Sequence, residues 1–196
     1  MRIVFLGPPG AGKGTQSQRL SRLLNIATLS TGELLRTAGD AGSELGQNAA
    51  GDMKAGKLVP DDVVIGIVRD RLREKDCDPG CLFDGFPRTV PQAEALDQML
   101  AEYGTPLDVV LAFEVEEAQL VDRLSHRGRS DDDPETIRER FRQYKRLTQP
   151  VMDYYRRKGL LQQIAAVGTQ DEVFARVRSA IDAAKQAGIK PAEVKP

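Results

Sequence analysis

Histidine and cysteine are scarce in this chain: one of the first and two of the second among 196 residues. Cys77 and Cys81 have Pro79 and Gly80 between them, and no second pair completes a zinc site. Metal and redox roles give way to ordinary thiols in a loop and a strand. With no secretory stretch ahead of them, they point to a reducing compartment. No apolar run approaches the ~20 residues that span a bilayer, so the expectation is a cytoplasmic protein. Net charge is −1, so no bulk field draws the chain to nucleic acid or an acidic membrane. Any anion site must come from local clusters.

What is present is an ordinary apolar content of 40%, enough for one sizeable domain that buries about 70% of its unfolded surface. Apolar runs resembling buried strands recur at Ile3 to Leu6, Ala27 to Leu29, Cys81 to Asp84, Val109 to Phe113 and Leu160 to Ala165. Between them, helical spacing marks Gln16 to Leu24, Val63 to Leu72, Val90 to Leu100, Ala118 to Leu124 and Glu172 to Ala184. Strand alternating with helix predicts an α/β fold, a five-stranded parallel sheet with helices on both faces. Two segments break the alternation. Ser30 to Val59 is rich in small residues and reads as short helices leaving the sheet. His126 to Asp133, HRGRSDDD, is a charged break, and His126 reads as a solvated loop residue. Gly188 to Pro196 reads as a frayed tail.

The first strand runs into GPPGAGKGT, Gly7 to Thr15. A strand turning through glycines into a helix directs backbone N–H groups at a phosphate, and Lys13 adds a point charge. This is the P-loop, the nucleoside triphosphate site of the P-loop hydrolase fold. Gly14 stands where a hydroxyl would bind Mg²⁺ directly, and the hydroxyl comes one place later at Thr15. A second cluster, Phe83 and Asp84 followed by Gly85 to Arg88, ends the third strand by sequence. In an open parallel sheet this end faces the P-loop, so Asp84 is placed to hold the water shell of Mg²⁺. Arg88 offers a planar fork for phosphate. Arg36, Arg123, Arg127, Arg129 and Arg140 are further candidates. Any one of them is also compatible with solvated surface; six together argue for a second polyanion.

Taken together, GPPGAGKGT, STGELLR at 30 to 36, GKLVP at 56 to 60, FDGFPRT at 83 to 89 with Gln92, DRLSHRGR at 122 to 129 and DDDPETIRERF at 131 to 141 make the chain resemble the adenylate kinases, from Met1 to about Ala184. The resemblance implies a core of 1–29, 60–125 and 134–187, a nucleoside-monophosphate (NMP) segment of 30–59, a lid of 126–133 and a tail of 188–196. It implies that Gly10, Ala11, Gly12, Lys13, Gly14 and Thr15 hold ATP phosphates, with Arg127 near the base and the Gly168 backbone at adenine. Thr31, Arg36, Lys57, Leu58, Val59, Gly85, Phe86, Pro87, Arg88 and Gln92 would form the AMP site. Arg123, Arg129 and Arg140 would converge with Lys13 and Arg88 on the transferring phosphoryl group, Arg129 and Arg140 touching AMP as well. Only Gly128 separates Arg127 from Arg129, which resembles the short-lid form and implies no structural zinc.

The expected reaction is ATP + AMP ⇌ 2 ADP with Mg²⁺, by a monomer. A phosphate monoester has a second pKa near 6, so its oxygen is already an anion at neutral pH and no general base is required. Thr31 and Gln92 are polar groups suited to the adenine edge. Kinases of uridine or cytidine monophosphate usually have a small apolar residue in place of Thr31, and remain the nearest alternative. A nucleotide switch is a third reading, but the chain has no guanine-reading NKxD motif.

Overall fold

A computed structural model describes residues 1–40, 44–116, 119–120, 123–124 and 133–186. Five parallel strands form one sheet: β1 Arg2–Leu6, β2 Ala27–Ser30, β3 Cys81–Asp84, β4 Val109–Glu114 and β5 Leu161–Ala165, in the order β2-β3-β1-β4-β5. The expected α/β architecture is therefore present, and each strand lies within two residues of its predicted bounds. β1 is central, pairing Phe5 with Asp84 on one side and with Leu111 on the other. The chain leaves β1 at the point where successive strands fan out to opposite sides, the crevice where ligands bind in open sheets.

Side-chain alternation explains the layers. Val4 and Leu6 face a core with Leu29, Phe83, Val110 and Ala112, whereas Ile3 and Phe5 face a second core with Leu82, Val109 and Leu111. Both faces are apolar, as a parallel sheet requires. The helix α1, Lys13–Leu24, buries Leu20 on the second face. The helices α2 (Thr31–Asp40) and α3 (Glu44–Lys54) form the excursion read from the small-residue segment. The first core is covered by α4 (Asp61–Leu72) through Val64 and Val68, and by α5 (Val90–Glu102) through Leu96 and Leu100.

A short 3₁₀ turn at Lys75–Cys77, unmarked by any periodicity, precedes β3. After the charged break come α6 (Pro134–Gln143), a π-helical turn at Tyr144–Thr148 and α7 (Gln149–Arg157). Asp133 caps α6 by accepting from the N–H groups of Glu135 and Thr136, with Pro134 behind it. The last helix, α8 (Gln170–Gln186), returns Val177 and Ile181 to the second core. Of the predicted helix Ala118 to Leu124, the described residues 119–120 and 123–124 are helical.

Candidate active site

The P-loop begins as β1 ends. Gly12 caps α1 with φ of +84°, a left-handed conformation that a side chain would strain. α1 therefore starts at Lys13, three residues earlier than its apolar spacing suggested, because glycine conformation and not burial sets its first turn. The first intrahelical bond runs from Gln16 N–H to Gly12 C=O. The preceding amides of Lys13, Gly14 and Thr15 remain at the helix N-terminus, suited to an anion. The Lys13 ammonium lies back across the loop, donating to the carbonyls of Gly7 (2.7 Å) and Pro8 (2.8 Å). These bonds hold the charge beside the loop mouth.

The floor is the turn after β3. Gly85 has φ of +83°, and a Cβ there would sit 3.0 Å from both Thr31 Oγ1 and Arg88 Nη2. Only glycine lets these two groups close over the turn. Thr31 Oγ1 donates to Gly85 C=O at 3.0 Å, and Arg88 Nε donates to the same carbonyl at 2.8 Å. Burial by the cleft walls pulls the Arg88 pKa down, partly countered by Asp84, and nearby Arg36 lowers it further. The side chain still reaches the water in the cleft, and a guanidinium starts so far above neutrality that it stays charged. Asp84 is half-buried, and a Cβ on Gly14 would lie 3.5 Å from its Oδ2. Gly14 thus leaves room for the carboxylate beside the first turn of α1.

These parts share one cleft of about 640 Å³. Along it lie Gly10, Ala11, Gly12, Lys13, Gly14 and Thr15 on one wall, Asp84, Gly85, Pro87 and Arg88 below, and Arg36, Lys57, Leu58, Arg123 and Arg140 around. Its described lining has six cations, Lys13, Arg36, Lys57, Arg88, Arg123 and Arg140, against two carboxylates, Glu33 and Asp84. In a chain of net charge −1, this concentration of positive charge is suited to a polyanion. Arg123 is steadied by two bonds to Ala166 C=O, at 3.3 and 3.4 Å.

A smaller pocket of about 40 Å³ adjoins, lined by Thr31, Val59 and Gln92 together with Lys57, Leu58, Gly85 and Arg88. Phe86 behaves differently from its neighbours: its ring is fully buried in the first core and has no surface to offer a ligand. Any contact of Phe86 with AMP falls to its backbone. Gly168 lines neither pocket, although Gln170, two residues on, lines the cleft. Arg127 and Arg129, with residues 126–132 of the expected lid, lie outside the described residues, as does the expected tail from 188.

Among the groups that sequence reasoning missed, three bear on the site's geometry. Tyr144 and Thr148 reach the cleft from the π-helical turn, where one extra residue per turn rotates side chains off the α-helical register. The third is Asp61, which accepts from Thr89 Oγ1 (2.8 Å) and Gln92 Nε2 (2.7 Å). Its only sequence signal is adjacency to GKLVP.

The donor set fits Mg²⁺: Asp84 supplies a hard oxygen beside the phosphate-binding turn, and an ion that keeps several waters needs no larger protein cage. Among the described residues no group of three or more His, Cys, Asp or Glu side chains is gathered as a metal cluster.

Known proteins resemble this chain over most of its length. The family model described as adenylate kinase matches residues 5–160. The chain belongs to the adenylate kinase family. It is 48% identical over 185 residues to an adenylate kinase of Stenotrophomonas maltophilia, covering 92% of this chain and 99% of that one. It is 46% identical over 183 residues to an adenylate kinase of Thermus thermophilus, covering 91% and 96%. An adenylate kinase of Archaeoglobus fulgidus is 44% identical over 202 residues, covering 87% and 92%. As a member of this family the chain is a nucleoside monophosphate kinase, a phosphotransferase with a phosphate acceptor. Among the described residues, no helix is long and apolar enough to cross a membrane.

Proposed function

We propose that the chain catalyses reversible phosphoryl transfer, ATP + AMP ⇌ 2 ADP, as a cytoplasmic monomer that maintains adenine nucleotide balance. One observation carries this reading: a single cation-lined cleft joins the P-loop to the Asp84–Arg88 turn and adjoins a second, small pocket at Thr31 and Gln92. A donor triphosphate and an acceptor monophosphate fit its two ends.

The chemistry follows from charge. Two polyanions must meet, and the acceptor oxygen is already ionised at neutral pH, so positioning and neutralisation are the main tasks. On nucleotide binding Lys13 exchanges the Gly7 and Pro8 carbonyls for phosphate oxygens. Arg36 and Arg88 hold the acceptor phosphate, Arg88 from a fixed position on Gly85. Arg123 and Arg140, with Arg127 and Arg129 of the lid, neutralise the equatorial oxygens as charge redistributes in the transition state. Mg²⁺, held through water by Asp84, would neutralise and orient the donor phosphates. The 30–59 segment and the 126–133 lid close over the nucleotides and exclude water, which would otherwise accept the phosphoryl group.

Initial rates with ATP and each of AMP, UMP, CMP and GMP test the reading. AMP is expected to be strongly preferred. A preference for UMP or CMP would overturn it in favour of a pyrimidine nucleotide kinase, and ATP turnover indifferent to any monophosphate would indicate a switch.

A further inference from the structure

Gln92 is a two-sided group held on both sides. Its Oε1 accepts from the Arg88 backbone N–H at 2.7 Å, and its Nε2 donates to Asp61 Oδ1 at 2.7 Å. Neither partner can exchange roles, since a backbone N–H only donates and a carboxylate only accepts. Turning the amide over would set an NH₂ group against an N–H and a carbonyl oxygen against a carboxylate. Gln92 is 2% exposed, so water cannot relieve either clash. Asp61 is itself anchored: it is the first residue of α4, and its Oδ2 accepts from Thr89 Oγ1 at 2.8 Å. The Thr89 oxygen in turn accepts from the Gln92 backbone N–H at 3.3 Å as the cap of α5. Two helices thus meet at one carboxylate.

Each amide atom of Gln92 keeps one further capacity, an N–H on Nε2 and a lone pair on Oε1. Their order is dictated by Asp61 and the Arg88 N–H. A base with a ring acceptor beside an amino donor, as in adenine, matches that order. Hypoxanthine, of the same size, carries a ring N–H beside a carbonyl and needs the amide reversed.

We propose that Asp61 is a specificity-determining positioning residue: it locks the orientation of the Gln92 amide, so that the small pocket accepts a 6-aminopurine and rejects a 6-oxopurine. The inference rests on the assignment of Gln92 to the acceptor base. Asp61 needs no contact with the nucleotide. It acts by making the reversed amide costly, so its loss admits the wrong base more than it harms the right one.

The test is kcat/KM for AMP and for inosine monophosphate, with ATP saturating, in the unsubstituted enzyme and in Asp61→Ala, Asp61→Asn and Gln92→Ala. One hydrogen bond to a charged partner corresponds to about tenfold or more in discrimination. Asp61→Ala is therefore expected to lower the preference for AMP over inosine monophosphate at least about tenfold, with the KM for ATP unchanged. Equal losses on both substrates would mean a merely structural role and overturn the proposal, as would an unchanged preference. Should the alanine variant fail to fold, Asp61→Asn is read by the same criterion, because a neutral amide can turn either its N–H or its C=O toward Gln92. Gln92→Ala separates the two levels. If it abolishes the preference while neither Asp61 variant moves it, only the role of Asp61 is wrong. If it leaves the preference intact, base reading by Gln92 is wrong and the proposal falls with it.

Discussion

Arg88→Ala is the sharpest probe of the cleft. The guanidinium is exposed in the cleft, and its side chain is anchored through Nε to Gly85 C=O at 2.8 Å. The backbone N–H is separately held by Gln92, so truncation removes the fork without releasing the turn. Folding stability should then change by no more than about 1 kcal/mol, the net value of one hydrogen bond. Transition-state stabilisation is another matter. A charged donor preorganised at the transferring group contributes on the order of 2 to 4 kcal/mol, and at 1.36 kcal/mol per tenfold this is roughly 30- to 900-fold in kcat/KM. The assay is initial-rate kinetics in both directions, coupled to ADP or ATP detection, alongside a thermal melt. Arg88→Lys should fall between, because it keeps the charge and loses the planar fork. A loss below tenfold for Arg88→Ala, with the melt unchanged, would refute the placement of Arg88 at the reacting phosphates.

Lys13→Ala should depress kcat/KM by at least as much, about 2 to 4 kcal/mol or more, and a melt that collapses instead would mean that the bonds to Gly7 and Pro8 are structural. Leu96→Ala, at a fully buried position of the first core, should cost about 2 to 5 kcal/mol in chemical denaturation while leaving the AMP preference intact; a loss under about 1 kcal/mol would contradict the packing. Asp133 has its carboxyl pKa held below the ordinary 3.8 by hydrogen bonds from Thr136. Its folded-state value is depressed, so its stabilisation is fully present above the unfolded value and is lost as pH falls through the folded one. Asp133→Ala should therefore melt lower than the unsubstituted chain at about pH 6, and the gap should close on acidification below pH 3.8; a gap independent of pH would count against the cap.

Much of the fold was legible because it is written in local patterns. The three inner strands, β3, β1 and β4, show as apolar runs because both faces of the sheet are buried there, whereas the edge strands β2 and β5 are largely half-exposed and less apolar, and the glycine spacing of 7 to 15 announces the anion loop directly. The excursion at 30–59 could be read from its small residues, and its helices α2 and α3 are where the composition placed them. Helix starts were less legible. α1 begins at Lys13 for reasons of glycine conformation, and α4 begins at Asp61, ahead of its first apolar position. The π-helical turn at Tyr144–Thr148 has no period of its own in the sequence, yet it brings Tyr144 and Thr148 to the cleft.

By itself, then, the amino-acid sequence determined the order of strands and helices, the phosphate loop, and the residue types able to neutralise two polyanions. These depend on hydrophobic period and on motifs a few residues long. Only the tertiary structure decided which groups meet. Asp61 and Gln92 are separated by 31 positions and touch at 2.7 Å. Phe86, inside a motif whose neighbours Gly85, Pro87 and Arg88 line the cleft, turns its ring wholly into the core. The physical reason is that a side chain's direction and its hydrogen-bond partners are fixed by elements packed from distant parts of the chain. The GFPR turn supplies an arginine, but the packing of α4 against α5 holds the glutamine and the turn around it in one orientation.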